Sequence, residues 1–400
     1  MTTARTPLAL IVVGAGVCAA LHVGKLAPAL ATLQQALGMS LLQAGFLLSL
    51  VQLAGMALGL ALGALADGLG GRRSMLLGLV TLGGASAAGG LSQGVAPMMA
   101  LRVVEGFGLL LVVLPAPGLL RTLVPPERLS AMLGMWSAYM PLATALALLF
   151  GPLCIQAFGW RAWWWGLGAL SLLMALLLAL VLARTVPAGA VAAARRPTGR
   201  WWAGLRQTLA APGPWLVAAI FAAYSGQWLA VIGFLPTIST QAGLAAGATG
   251  VLTALAAAAN IVGNVVAGRA LQRGVPALRL LLLGFVCMAA AAALAFAAGS
   301  APAGLRYAAV LVFSGVGGFV PGTLFSLALR VAPGEGSMAS TVGWMQQWSS
   351  MGQFVGPPAV AWVAGVAGGW QWTWVVTGAC SALGSTLAWM LARRLARATG

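Results

Sequence analysis

The sequence predicts an all-α membrane protein, a bundle of twelve transmembrane helices, and three observations predict it. Charged residues make up 6% of the chain and hydrophobic residues 61%, whereas soluble domains carry about 25% charged residues. Apolar runs of about 20 residues, the length that crosses a bilayer, recur throughout the 400 residues. Nearly all the arginines fall between those runs. The net charge of +17 invites a nucleic-acid reading, but such a surface gathers its basic residues on one face. Basic residues spaced between apolar runs follow membrane topology instead.

The first span is expected over 8–33. Its start, "MTTARTPLALIVVGAGVCAA", resembles a signal peptide, and "AGVC" a lipoprotein cleavage box. Val17 stands where a small residue is needed, however, and the apolar run continues past Cys18, so the segment reads as a retained helix. Spans two and three, 41–64 and 74–94, flank a short loop; Gly55, Gly59 and Gly63 form a small-residue packing stripe on the second. Span four, 97–121, carries "RVVEGFG". Span five, 129–153, holds Pro141 and Gly151-Pro152, and span six, 162–184, follows "WRAWWW". The longest loop, 185–211, ends in "RWWAGLRQTL" and reads as a cytoplasmic linker with a short interfacial helix. Spans seven to twelve are expected near 213–238, 246–270, 277–299, 305–329, 338–363 and 371–391. Tryptophans of "WRAWWW" and "WQWTW" (370–374) stand where an interfacial aromatic belt belongs.

Orientation follows from charge. With the N-terminus inside, the cytoplasmic segments hold Arg5, Arg72, Arg73, Arg121, Arg128, Arg184, Arg195, Arg196, Arg200, Arg206, Arg269, Arg273, Arg279, Arg330, Arg393, Arg394 and Arg397. The outer side holds Arg161 and Arg306. The bias predicts both termini inside. A repeat is also visible. Gly151-Pro152 in span five matches Gly356-Pro357 in span eleven, and "APALAT" in span one matches "LPTIST" in span seven. Arg121 and Arg330 close equivalent helices. The expected organisation is therefore a six-helix half over 1–184, a linker over 185–211 and a second half over 212–400. Two such halves related by an axis along the membrane normal describe a large class of secondary transporters.

Ionisable side chains inside spans are costly and mark function. Four stand out: His22 and Lys25, the chain's one histidine and one lysine, and Arg102 and Glu105. Each pair is spaced i, i+3 and shares a helix face. Their counterparts in the second half, near Ala230, Gly233, Leu311 and Ser314, carry no charge. Alternatives stay open for each group. Lys25 contacts substrate or snorkels to the outer headgroups. Arg102 and Glu105 act separately or neutralise each other. His22 moves a proton, as its near-neutral titration suits, or bonds between helices. Gly24 and Pro28 favour a distortion of span one beside Lys25. Cys18, Cys154, Cys287 and Cys380 lie in or near apolar segments without a CxxC pair, so small core residues are expected in place of disulfides or a metal site. No cofactor is expected, and no nucleophile–base pair suggests an enzyme.

The loop "GALADGLGGRR" resembles the signature of the major facilitator superfamily between spans two and three, with Gly63, Leu65, Asp67, Gly70, Arg72 and Arg73 in place. Gly68 and Gly71 replace usual basic residues. Span four, with Arg102, Glu105, Gly106 and Gly108, is similar to a second pattern of that family, with Glu where Gln is usual. "FLPTIST" and "GWMQQWSSMGQFVGPP" resemble its cyanate/nitroimidazole-type group. The resemblance covers essentially the whole chain. It implies a gate built from Gly63, Asp67, Gly70, Arg72 and Arg73, with Asp67 paired to the helix start near Ser337 or to Arg128. It also implies that spans one, four, seven and ten line a central cavity.

In that cavity Lys25 and Arg102 would stand against one carboxylate, which favours a small organic or inorganic anion. The substrate-binding residues expected are Lys25, Arg102, His22, Tyr224, Gln227, Trp228, Gln346 and Gln347, with His22 and Glu105 coupling to protons. The expected protein is a monomeric, multi-pass, proton-coupled symporter of a bacterial inner membrane, working by alternating access. A multidrug-type efflux antiporter is the alternative, favoured by aromatic and Met content and opposed by a glycine-poor span five. A transporter-like ligand sensor is a second alternative.

Overall fold

The computed structural model describes residues 6–59, 70–125, 132, 135–136, 138–183, 200–297, 299–334 and 337–399. Among them it is helical throughout its ordered elements, with no strand. The first part comprises α1 (Thr6–Gly24), α2 (Leu26–Leu37), α3 (Leu41–Ser49), α4 (Gly71–Gly89), α5 (Val95–Val113), α6 (Ala116–Leu123) and α7 (Tyr139–Ala183). The second comprises α8 (Arg200–Ala210), α9 (Pro212–Gln241), α10 (Ala246–Gln272), α11 (Ala277–Ala292), α12 (Ala303–Gly317), α13 (Phe319–Val331), α14 (Met338–Ala367) and α15 (Thr373–Thr399).

Local chemistry explains the boundaries. Gly38 ends α2 at φ 66°, a left-handed conformation that glycine adopts without a steric cost. Ser40 and Gln43 then cap α3 reciprocally, Gln43 N donating to Ser40 Oγ at 3.2 Å and Ser40 N to Gln43 Oε1 at 2.9 Å. The helix α7 is interrupted at Gly159 (φ 82°) and thus holds two apolar lengths, although Pro152 stays within its helical course. Nine helices among the described residues are long and apolar enough to cross a membrane. The helices α4 and α14 also exceed 18 residues but are richer in glycine and polar residues.

Two apolar cores form. One draws on residues from Leu8 to Leu178 and also takes in Ala230, Phe234, Val360 and Ala361. The other runs from Val217 to Leu391 and takes in Ala27 and Leu148. Those intrusions mark where the two parts of the chain meet. Large apolar side chains such as Leu173, Val262 and Val366 lie on the exterior, a surface that suits lipid and that a water-soluble monomer rarely presents.

Glycines set the closest helix contacts. A Cβ on Gly45 would meet Pro358 Cα and Ala361 Cβ at 3.0 Å, bringing α3 against α14. Gly226, Gly352 and Gly356 let α9 and α14 touch backbone to backbone. Between the two parts, Gln52 Nε2 donates to Gln353 Oε1 at 2.9 Å and Gln347 Nε2 to Met56 O at 2.9 Å.

Candidate functional site

The four ionisable residues singled out from sequence meet in one place. The backbone turns at Lys25, between α1 and α2. Pro28 has no N–H to offer Gly24 O, four residues before it, and Lys25 O accepts from Trp163 Nε1 at 3.0 Å. Gly24 lets this break sit against α7, where a Cβ would meet Ala147 Cβ and Thr144 Cα at 3.0 Å. From α5, Arg102 and Glu105 project one turn apart to the same point.

Glu105 is the hub. Its Oε1 pairs with Lys25 Nζ and its Oε2 with Arg102 Nη1. Lys25 Nζ also donates to Ser86 Oγ at 2.8 Å, and Ser86 Oγ donates onward to Trp164 O at 2.8 Å. The ammonium lies 4.7 Å from the Trp164 ring centre, a favourable cation–π placement. Arg102 Nη1 further donates to His22 O at 2.7 Å. His22 Nδ1 stands 3.2 Å from Lys25 Nζ and Nε2 stands 2.7 Å from Ser171 Oγ. With Lys25 as the ammonium donor, Nδ1 accepts and Nε2 carries its proton toward Ser171, a tautomer assigned from the bonding pattern. Cys18 Sγ lies 3.6 Å from the same hydroxyl.

Every member is sealed from solvent: His22, Lys25, Arg102, Ser86 and Ser171 are 0% exposed and Glu105 1%. Burying ions costs several kcal/mol each unless they are paired and hydrogen-bonded, and here one carboxylate serves two cations. Arg102 Nη2 is left without a partner. The network therefore carries one unmatched positive charge and one open donor. Among the described residues, all ion pairs converge on Glu105. Neither reading of Lys25 as a headgroup-seeking side chain nor of Arg102–Glu105 as a closed pair describes this geometry. Lys25 points inward, and Glu105 is shared.

The second-part candidates form a separate, uncharged network. Asn260 Nδ2 donates to Tyr224 OH and to Ser314 O, both at 2.8 Å. Trp228 Nε1 donates to Ser314 Oγ at 3.0 Å. Gln227 binds Ala223 O and accepts from Ser381 Oγ at 3.1 Å. Gln346 is half-buried on α14, and Gln347 Oε1 is buried without a partner. A further pocket of about 390 Å³ lies between α2 and α9, lined by Ala31, Gln34, Gln35, Thr237, Thr240 and Gln241.

Of the expected gate residues, Gly63, Asp67 and Arg128 lie outside the described residues. Gly70 adopts φ 80° and precedes α4. Arg72 Nη2 donates to Ala179 O at 3.1 Å, and Arg73 is exposed. Ser86, Ser171, Trp163 and Trp164 were not foreseen. The expected belt at "WRAWWW" is corrected: Trp160, Trp163 and Trp164 are buried, and Trp165 alone of these four is exposed. Gly89 admits the Trp164 indole, since a Cβ there would meet its Cδ1 at 2.6 Å.

A multi-pass helical bundle with a buried, charged polar network in its interior has the construction of a membrane transporter. The chain belongs to the Major Facilitator Superfamily, whose profile it matches over residues 12–350, and it is a transporter, not an enzyme. It is 38% identical over 100 residues to the tetracenomycin C resistance and export protein of Streptomyces glaucescens, covering 25% of this chain and 19% of that protein. It is 33% identical over 152 residues to an MFS-type efflux pump of Mycolicibacterium smegmatis, covering 37% of this chain and 34% of the pump. The matched stretches thus span about a fifth and a third of those relatives. The fold resembles a bacterial homologue of the human lysosomal transporter Spinster in an inward-facing, occupied conformation, at TM-score 0.82, 16% identity and 98% coverage of both chains. It also resembles a D-xylose–proton symporter, at TM-score 0.74, 17% identity and 96% coverage of both.

Proposed function

We propose that the protein is a proton-coupled symporter of a small organic or inorganic anion, working as a monomer by alternating access. The observation that carries this reading is Glu105 shared between Lys25 and Arg102 in a fully buried network. A proton on Glu105 would free both cations, and a substrate anion would take the place of the lost carboxylate. With His22 neutral, the network carries +1 before the exchange and +1 after it, so the buried charge does not change. A proton alone would raise the network to +2, and an anion would reach the two cations only once Glu105 releases them, so the two enter together. His22, whose Nδ1 lies 3.6 Å from Glu105 Oε1 and whose Nε2 lies 2.7 Å from Ser171 Oγ, would relay the proton. Tyr224, Gln227, Trp228, Gln346 and Gln347 would contact the substrate from the facing half.

The proposal includes twelve spans with both termini inside a bacterial inner membrane, two six-helix halves over 1–184 and 212–400, and the linker over 185–211. The two halves of α7 either side of Gly159, together with α4 and α14, would supply the crossings beyond the nine apolar helices of the described residues. Gly63, Asp67, Gly70, Arg72, Arg73 and Arg128 would form the gate, and the cyanate/nitroimidazole-type group is the source of the first anions to try. The test is uptake into proteoliposomes across a panel of small anions under an inward proton gradient. Lys25→Ala and Glu105→Gln should each reduce it at least tenfold. Gradient-driven uptake that is unchanged in both variants would overturn the reading.

A second reading, proton-driven export of lipophilic compounds, is favoured by the matches to two exporters. Extrusion of lipophilic cations, with no anion taken up, would select it.

A further inference from the structure

We propose that the end of the molecule where α11 begins and α15 finishes binds an anionic phospholipid. Arginine side chains would hold the headgroup phosphate, and the acyl chains would lie on the adjoining apolar exterior.

The two helices run side by side in opposite directions. Gly384 packs on the Phe285 ring, Ala388 and Leu391 share a core with Leu281, and Leu395 packs on that core alongside Ala277 and Leu278. This register brings Arg279 to the level of Arg393, Arg394 and Arg397. All four are exposed. Arg393 and Arg397 are four residues apart, so they stand above one another on one side of the helix.

Among the described residues, these charges have no carboxylate counterion. The chain has four acidic residues, and Glu105 is committed to the buried network. Among the described residues, none of the four arginines pairs with a carboxylate. An anion from outside the chain would match them. Arginine offers a planar fork suited to phosphate oxygens, and Arg393 stacks 3.5 Å over the exposed Trp389 ring. An arginine–tryptophan pair at a helix end belongs at the headgroup level of a bilayer. Below it, Leu283, Val286 and Met390 are 48%, 59% and 42% exposed, an apolar face continuous with the basic end. A free phosphate would use only the arginines; a phospholipid uses both surfaces.

The experiment measures the thermal unfolding midpoint of the purified full chain in micelles containing phosphatidylglycerol, phosphatidylcholine, or inorganic phosphate at equal phosphate concentration. Phosphatidylglycerol is expected to raise the midpoint above both others. R393Q/R397Q should remove at least half of that difference, while R206Q/R330Q, which deletes the same charge elsewhere, should leave it intact. On the unmodified chain, a photoactivatable phosphatidylglycerol should crosslink within residues 277–286 and 383–397, a readout that holds even if a variant fails to fold. Equal loss in both double variants, an equal shift with phosphatidylcholine or inorganic phosphate, or crosslinks confined to other segments would each overturn the proposal.

Discussion

At the scale of single residues, the network depends on one carboxylate serving two cations. Removing it strands both. Glu105→Gln is expected to cost about 3–5 kcal/mol of stability, the range for breaking a buried ion pair, measured by unfolding in detergent. A cost below about 1 kcal/mol would mean that the cations find other partners. Ser171→Ala should cost roughly 1–3 kcal/mol, because His22 Nε2 would be left buried without its 2.7 Å partner. The charged members were legible in sequence, since an ionisable residue in an apolar run is conspicuous. Ser86 and Ser171 were not. A serine among small residues in "GGASAAGG" or leucines in "GALSLLMAL" looks like packing until a lysine or histidine from another helix is seen to reach it.

At the scale of elements, glycines determine which helices meet. A Cβ on Gly352 would strike the Ala222 carbonyl and stand 2.8 Å from Ala222 Cα, and neither backbone has room to yield. Gly352→Ala is expected to destabilise by about 1–3 kcal/mol, the usual cost of overpacking. Gly378, also helical, has nothing within 4 Å, so Gly378→Ala should stabilise by up to about 1 kcal/mol through helix propensity. Paired thermal unfolding curves check both signs; equal shifts would refute the packing argument. The break at Lys25 was expected from Gly24 and Pro28. The inward turn of Trp163 and Trp164 was not, because a tryptophan run near a span start reads as an interfacial belt. What redirects these rings is Gly89 on another helix and the freed Lys25 carbonyl, and neither adjacency is written locally.

At the scale of the whole molecule, the proposed alternating access requires the two parts to separate where Gln52 meets Gln353. Cysteines at those two positions, in a chain with Cys18, Cys154, Cys287 and Cys380 replaced, should crosslink, and crosslinking should stop transport reversibly. Transport at the full rate while crosslinked would exclude rocking at this seam. Exchange at constant network charge makes a second demand. Symport of one proton with a monovalent anion moves no net charge, so uptake should follow the pH gradient and ignore an imposed membrane potential. A potential-dependent rate at fixed pH would exclude the exchange.

The sequence by itself determined that the chain is an all-helical membrane protein, and which four ionisable side chains lie within its apolar runs. Those properties follow from composition, apolar length and spacing, all of which act along the chain. Only the tertiary structure decided that Lys25 turns inward, that Glu105 is shared, and that serines and tryptophans from α4 and α7 complete the network. The cost of burying an ion depends on its complete surroundings, and those surroundings come from helices distant in sequence.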